Sequence, residues 1–485
     1  MPRHAGAPCS REEERAVTIE LGVFHNGASD LKAITTPDGV VVNDGSLEEV
    51  HASYQRVLIG QVRQGILAER LGFDYWFMTE HHFMPEGPEF SPNPLLVEAA
   101  IAAQTRRIRF GQMANIVPWW HPVRLAEQAA MLDVISGGRL EMGIGRGYQP
   151  REAEVWGWRY GSTIQDQERN RRYFEEAYEI ILKCWTQGSF SHHGEYWSIP
   201  PRHTKWHHKS TMAYFSLPKA GRRVEDVLQI GPPDLYSMGS PIMAATTTLK
   251  ELSVFPQPVQ KPHPQFWEPV TSERSIRWAA RNGVNAFTVP EPTSRLKRNI
   301  EIYYEEAEKN GWPDRLGRGR FKFGWDSQKK RGFGCCRYVH ILQRGKEQED
   351  LARYRNALEL QWDYYGPFGF AAVLSDLGEP MYDLNMKVTA DLLMQKEIAI
   401  VGTAEEVIRK ILRIKETCGY EDFFFTAWFE AGGYRTEEIE EQMAIFASEV
   451  MPVLRRECGG GPTLPESTVQ LVPERVPAGA PAAGS

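Results

Sequence analysis

Short apolar runs alternate with longer amphipathic segments along most of this chain. Tyr75–Met78 is continuously apolar, which is typical of a strand buried on both faces. Residues 48–71 before it repeat apolar positions at helical spacing and predict a helix. The pattern predicts eight strands, at residues 17–24, 75–80, 108–117, 139–143, 264–270, 284–289, 337–342 and 422–428. It predicts helices at residues 48–71, 95–104, 124–134, 167–186, 272–282, 292–310, 404–418 and 436–454.

This alternation of strands and helices predicts an α/β fold, a (β/α)8 TIM barrel with long insertions. A doubly wound open sheet is the competing arrangement, because it shows the same alternation. We place the barrel at residues 17–457, with insertions at about 200–262 and 313–400 that exceed a minimal barrel. Residues 1–16 are expected to be a flexible leader, and the Pro/Ala/Gly-rich residues 458–485 a disordered tail.

Composition argues against several classes of protein. The formal charge of −7 gives no basic footprint, so we expect no nucleic acid partner. No stretch has the apolar length of a membrane helix, and the polar N-terminal residues do not resemble a secretory signal. We predict no metal site, because the cysteines lack ligand spacing and His203, His207 and His208 fit a solvated loop better. A reduced, cytoplasmic enzyme is the simplest interpretation.

Titratable residues stand at the end of the second predicted strand, at Glu80, His81 and His82. Barrels and open α/β sheets place their chemistry at the carboxyl ends of the strands. Histidine titrates near neutral pH and can act as a general acid or base, so His81 and His82 are catalytic candidates. A structural hydrogen bond is the alternative for either one. Tyr148, after the fourth strand, is expected to reach the same pocket and to donate a proton.

Two further segments have features of an anion site. Arg146 and Gly147 lie in a glycine-rich turn, where arginine can grip phosphate and glycine lets the backbone approach a ligand. Ser272 and Ser275 open a predicted helix, where hydroxyls and free amides can bind an anion. For the second segment, plain helix capping by Ser272 is the simpler explanation from the residues alone.

Three residues of the third predicted strand and its end are candidates to face a ligand. Asn115 is a polar amide in an apolar strand and needs partners, which a bound ring or the protein itself could supply. Trp119 and Trp120 could wall an aromatic substrate pocket, although large aromatic residues more often serve packing.

Six groups of residues occur in a fixed order along the chain. They are Gly72-Phe-Asp with Glu80-His-His-Phe83, Ser91-Pro-Asn-Pro-Leu95, Arg107-Ile-Arg-Phe-Gly111, His121-Pro-Val-Arg-Leu-Ala-Glu127, the segment from Asp133 to Gly147, and Gly402-Thr-Ala-Glu-Glu-Val407. Together they resemble the bacterial luciferase-like family of flavin-dependent monooxygenases. The resemblance covers residues 17–198, 255–290 and 398–456, and it thins out in the two insertions.

The resemblance implies a TIM barrel in which reduced FMN, supplied by a separate flavin reductase, reacts with oxygen and oxidises a small organic substrate. It implies catalysis by His81, phosphate contacts from Arg146, Ser272 and Ser275, and a flavin edge near Asn115. Gly145 stands where luciferases carry a reactive cysteine, so no thiol chemistry is expected there. The alternatives are a deazaflavin-dependent hydride transferase and a non-catalytic flavin-binding partner subunit. We also expect a homodimer or tetramer.

Residues 203–254 form the longest segment without the rhythm of the barrel. Their aromatic and histidine content suits a lid that covers the substrate and excludes water. A contact between subunits is the alternative use of such an insertion.

Overall fold

Eight parallel strands follow one another in chain order around a closed barrel. The computed structural model that shows them describes residues 18–157, 163–231, 247–311 and 324–471. The strands are β1 (Ile19–His25), β2 (Tyr75–Met78), β3 (Arg109–Gln112), β4 (Leu140–Gly145), β5 (Gln265–Val270), β6 (Asn285–Thr288), β7 (Arg331–Ile341) and β8 (Phe423–Trp428). The ring closes where β8 pairs with β1, with Ile19 opposite Phe423. The predicted TIM barrel is confirmed, and the open doubly wound sheet is excluded.

Helices lie between the strands and in the insertions. They are α1 (Leu47–Leu71), α2 (Pro94–Ala102), α3 (Pro122–Ser136), α4 (Pro150–Gly157), α5 (Gln167–Thr186), α6 (Lys209–Phe215), α7 (Val224–Val227), α8 (Glu273–Asn282), α9 (Thr293–Lys309), α10 (Glu347–Tyr365), α11 (Ala390–Gln395), α12 (Ala404–Cys418), α13 (Thr436–Ile445) and α14 (Met451–Glu457). A π-helical turn, Phe446–Val450, joins the last two. Among the described residues, no helix has the length and apolar character needed to cross a membrane.

Local signals in the sequence set the ends of the barrel helices. At the start of α1, Ser46 accepts a hydrogen bond from the backbone of Glu49, whose side chain accepts one from Ser46 in return. This capping box satisfies amide groups that would otherwise lack partners. The helix ends at Gly72, whose φ of 89° is a left-handed conformation that glycine adopts without strain. For this reason α1 lies within one residue of its predicted bounds.

Strand β7 begins six residues before its predicted start at residue 337. The missed part, residues 331–336, reads as a loop because of Gly332 and Gly334. In the barrel, a side chain at Gly334 would approach Phe287, Phe424 and Trp267 to 3.0–3.2 Å. Glycine is therefore present because large aromatic side chains fill the barrel interior, and this is a tertiary reason that no local pattern reveals.

The two insertions have different structures. The first, about residues 200–262, contains α6, α7 and a two-stranded sheet of Leu228–Gln229 with Thr248–Leu249. Its buried centre is a small cluster apart from the main core, formed by Val224, Val227 and Leu228 with partly buried Trp206, Met212, Phe215 and Leu249. In the second, α10 follows β7 and packs into the main core. Parts of both insertions, residues 232–246 and 312–323, lie outside the described residues.

The chain continues past α14 along the barrel. The Ile19 amide donates to the Gly460 carbonyl at 3.0 Å, and the Ser467 amide donates to the Arg106 carbonyl at 2.8 Å. The predicted leader and the part of the predicted tail beyond residue 471 lie outside the described residues. The division into leader, barrel and tail therefore stays a prediction.

Candidate active site

A cavity of about 570 Å³ opens at the carboxyl ends of the barrel strands. On one side, which we call the anion end, its walls come from the ends of β4 and β5 and the start of α8, namely Arg146, Gly147, Glu268, Thr271 and Ser275. On the other side, the aromatic end, they come from β7, β8 and the second insertion, namely Tyr338, Trp362, Tyr365, Phe368, Phe370 and Trp428. His81, Glu89 and Tyr148 also line the cavity. One chamber therefore combines a titratable histidine, a half-buried arginine beside a helix start, and aromatic walls.

His81 lies between two buried carboxylates. Its Nε2 is 3.2 Å from Glu89 Oε1, and its Nδ1 is 3.3 Å from Glu152 Oε1. Backbone pairing between His81 and Ser91 folds the intervening loop back, which brings Glu89 beside the ring. The imidazole is fixed from both sides, and both ring nitrogens can carry a proton.

The charges around His81 determine its protonation state. Burial lowers the pKa of His81, but Glu89, Glu152 and Glu80 outweigh this effect and raise the pKa to about 9. Burial raises the pKa of Glu89, and the His81 imidazolium opposes that shift. Because the pKa of His81 lies above neutral, the ring is mostly an imidazolium at pH 7 and can donate a proton or a charged hydrogen bond.

Tyr148 shares Glu89 with His81. The Tyr148 hydroxyl donates to Glu89 Oε1 at 3.1 Å, and the amides of Asn26 and Gln149 donate to the same carboxyl at 2.9 and 2.6 Å. Burial raises the pKa of Tyr148 well above its ordinary value. Tyr148 is therefore a neutral phenol that lines the cavity and donates its hydrogen bond to Glu89. Its role as a proton donor to a ligand stays a prediction.

His82 points away from His81 and, among the described residues, is not one that lines the cavity. Its Nε2 lies 3.3 Å from Glu80 Oε1, and its ring lies against Trp119 and Trp156 at 5.5 Å each. This placement fits the structural alternative. Of the two candidate histidines, the structure brings only His81 to the cavity.

The structure also places the two tryptophans that were candidates for the substrate pocket, Trp119 and Trp120, outside the described cavity walls. Trp120 donates its indole N–H to Glu80 at 2.9 Å, and Trp119 is buried beside His82. The described cavity walls include neither of them. Both serve packing behind the site, and the aromatic walls come from residues far away in the chain.

The anion end brings together Arg146, Gly147 and Ser275 as expected. Gly147 has a φ of +74°, and a Cβ there would approach Trp119 to 2.9 Å, so only glycine fits without strain. The Ser275 hydroxyl donates to the Ser272 carbonyl at 2.9 Å. Ser272 caps α8 with its side chain and is exposed outside the cavity walls that the structure describes. Plain capping therefore accounts for Ser272, whereas Ser275 faces the chamber.

A carboxylate that the sequence analysis did not single out, Glu268 on β5, lies in the anion end. It is buried, and its Oε2 has no hydrogen-bond partner. Burial raises the pKa of Glu268 to about 8, although Arg146 and Arg171 act to lower it. Glu268 is therefore mostly neutral at pH 7 and leaves the Arg146 charge available to an anion.

Asn115 is fully buried, but it lies one layer behind the cavity. Its amide nitrogen donates to Gln112 Oε1 at 2.8 Å and to the Gly143 carbonyl at 2.9 Å. The adjacent residues Ala114 and Ile116 line the cavity, and Asn115 is not among the described lining residues. The structural hydrogen bonds that were the alternative for Asn115 are thus present, and its role beside a ring stays a prediction.

Several residues around His81 were missed from sequence because no local pattern marks them. Glu89 sits in a Pro-rich loop, Glu152 begins a helix, and Asn26 follows the first strand. Each is buried, which is unusual for these residue types, but burial is a property of the fold. Among the described residues, no group of three His, Cys, Asp or Glu side chains could hold a metal ion.

The model of the luciferase-like monooxygenase family matches residues 44–211 and 222–421, which is most of the chain. The chain belongs to the luciferase-like monooxygenase family. The resemblance seen in the sequence is thereby confirmed, and it extends through much of both insertions.

Individual relatives have low sequence identity to this chain, but the alignments cover most of both proteins. The chain is 25% identical over 406 residues to the oxygenase component of the flavin-dependent trigonelline monooxygenase of Acinetobacter baylyi, which covers 80% of this chain and 87% of that protein. The oxygenating constituent of 3,6-diketocamphane monooxygenase of Pseudomonas putida, solved with FMN, aligns with a TM-score of 0.58 at 19% identity, over 90% of this chain and 99% of that one. An F420-dependent secondary alcohol dehydrogenase aligns with a TM-score of 0.52 at 15% identity, and the alignment covers 90% of this chain and 99% of that one. These structural likenesses show the barrel fold.

Proposed function

We propose that this protein is a monooxygenase that uses reduced FMN and oxygen to oxidise a small organic substrate. One observation carries the proposal: a single chamber joins an anion end to a charged histidine and to aromatic walls. The Acinetobacter baylyi relative is the oxygenase component of its monooxygenase. We propose that this chain likewise receives reduced FMN from a separate flavin reductase.

The residues of the anion end fit an FMN phosphate. The Arg146 guanidinium, the Gly147 backbone and the hydroxyls of Thr271 and Ser275 face one region of the cavity, where they would hold the phosphate oxygens. The neutral Glu268 does not repel a phosphate at pH 7, because its pKa is about 8. Reduced FMN bound here would supply the activation of oxygen, which no amino-acid side chain provides.

His81 would act as the proton donor at the reacting centre. Its pKa of about 9 keeps it charged at pH 7, which favours donation over proton abstraction. Glu89 and Glu152 hold the ring from opposite sides, and the Tyr148 hydroxyl donates to Glu89 beside it. We infer that Glu89 and Glu152 are positioning residues that keep the His81 ring charged and oriented.

Titration of the purified protein with FMN and with a deazaflavin tests the proposal, followed by turnover under oxygen with a reductase present. Tight FMN binding and oxygen-dependent product formation are expected. Preference for the deazaflavin with product formed in the absence of oxygen would replace the proposal by the hydride transferase. Binding of FMN without turnover of any substrate class in a broad screen would favour the non-catalytic partner subunit.

A further inference from the structure

The six residues of the aromatic end form connected walls. Tyr338 stacks on Trp428 with ring centroids 4.2 Å apart, and Tyr365 lies 6.3 Å from Trp428, Trp362 and Phe370. Trp362 and Tyr365 are buried, and the Tyr365 hydroxyl accepts from Asn26 at 2.6 Å, which fixes this ring next to the reacting region. Rigid aromatic walls of this kind favour a flat, apolar ligand.

The charges that face this end of the chamber are mostly negative. Among the described lining residues, the basic side chains are Arg146, at the anion end, and His81. His81 is already shared by Glu89 and Glu152, and Glu80 lies close by. Three carboxylates thus surround one imidazolium. In the part of the chain that the structure describes, a ligand carboxylate would lose its hydration here without a further cation to pair with.

The walls and the charges together define a substrate class. We propose that the aromatic end takes an aromatic substrate that carries no negative charge, and that it rejects the corresponding carboxylate. This inference rests on the proposed function, since that function assigns Arg146 to the cofactor and removes it as a partner for the substrate. The substrate ring would lie among Trp362, Phe368 and Phe370. Tyr148 contacts Phe368 and Phe370, and His81 in turn contacts Tyr148.

Two ligands of similar size, one neutral and one negatively charged, test the proposal by isothermal titration calorimetry. The FMN-loaded protein is titrated with 2-naphthylmethanol, which is neutral, and with 2-naphthoate, which is anionic. The alcohol should bind at least about tenfold more tightly than the carboxylate. Burying an unpaired charge costs more desolvation free energy than burying a neutral hydroxyl. Equal binding, or tighter binding of the carboxylate, overturns the proposal.

Variants then locate the bound ring. Phe370→Ala and Phe368→Ala should each weaken binding of the alcohol about tenfold, while the dissociation constant of FMN is unchanged. Phe368 is already 36% exposed, so its variant should fold even if that of a more buried ring does not. Phe255, which is 75% exposed and outside the described cavity walls, gives the control variant Phe255→Ala, with no change expected. Unchanged binding in both wall variants overturns the proposed location.

A failure of the cofactor proposal is separable from a failure of this one. If the wild-type protein does not bind FMN, the same two ligands are titrated into the unloaded Arg146→Ala variant, in which the carboxylate has no guanidinium at the anion end. A preference for the alcohol there supports the charge rule without the cofactor. Equal affinities there overturn the rule as well.

Discussion

The two ends of the cavity are built in different ways. The anion end lies on two adjacent strands and one helix start, and its main groups, Arg146 with Gly147 and Ser275, sit in short local motifs. The aromatic end combines β7 and β8 with the end of α10, and its residues contact groups that are far away in the chain. For example, Tyr365 contacts Asn26, which is 339 positions away in the chain. Groups that are held by local backbone geometry can thus be identified from the sequence, whereas a wall of aromatic residues distant in the chain is assembled only by folding.

The two insertions show the same contrast. The lid expected at residues 203–254 does not reach the site in the part that the structure describes, since none of these residues lines the cavity. The second insertion reaches the cavity, because α10 packs into the main core and ends at the aromatic end. The aromatic content of the first insertion instead forms its own small cluster, around Val227.

The largest expected effect is at the centre of the cavity. His81→Ala should lower product formation about 10²–10⁴-fold, since a positioned proton donor contributes that much. Binding of FMN should stay normal, which would show that the acid–base group and the anion end act separately. The measurement is turnover with a reductase present, together with an FMN titration.

His82→Ala is the matched control for the first experiment. His82 contacts Glu80, Trp119 and Trp156 behind the cavity, so its loss should affect turnover far less. If the two variants lose activity equally, the assignment of the catalytic histidine from the geometry is wrong.

At the anion end, Arg146→Ala should weaken FMN binding by about 1.5–3 kcal/mol, or about 10–150-fold. Riboflavin lacks the phosphate, so its dissociation constant should not change. Arg172→Ala removes an exposed arginine that pairs with Glu195, and it serves as the control. An FMN dissociation constant that does not respond to Arg146→Ala would place the phosphate elsewhere.

Glu89→Gln should change the pH dependence of turnover. The Glu89 charge raises the pKa of His81, so its removal should lower that pKa by about 1 pH unit or more. His81 would then lose its proton at lower pH, and the alkaline limb of the activity profile should move in the acid direction. The His81 ring signals in a proton NMR titration measure the same shift directly. If the pH profile of turnover did not move, Glu152 and Glu80 alone would be sufficient to keep His81 protonated.

The smallest expected effect concerns Glu268. As pH rises through its pKa of about 8, Glu268 gains a negative charge beside Arg146, and FMN binding should weaken severalfold. The phosphate itself is already a dianion in this range, because its second pKa is about 6. Glu268→Gln should make FMN affinity independent of pH between neutral and alkaline conditions, and riboflavin should show no dependence in either protein. A persistent dependence in the variant would assign the titration to another group.

The sequence by itself determined the order of the elements, the family and the groups that sit in local motifs. Apolar runs and helix caps are short-range signals, which is why α1, α5 and α12 fall within one residue of prediction. The same holds for His81 after β2 and Arg146 after β4, since the carboxyl end of a strand is readable from the chain. Whether the histidine beside His81 faces in or out was not readable, because it depends on contacts with α4 and with Trp119.

Only the tertiary structure decided which distant residues meet. Glu89 and Glu152 come to His81 from a loop and from α4, and these carboxylates, rather than the histidine alone, raise its pKa above neutral. Trp362 and Tyr365 become part of the cavity wall because α10 is buried against the barrel, although nothing in their local pattern separates them from other helix aromatics. Charge, burial and close approach act through space, and the barrel is what brings these positions into one chamber.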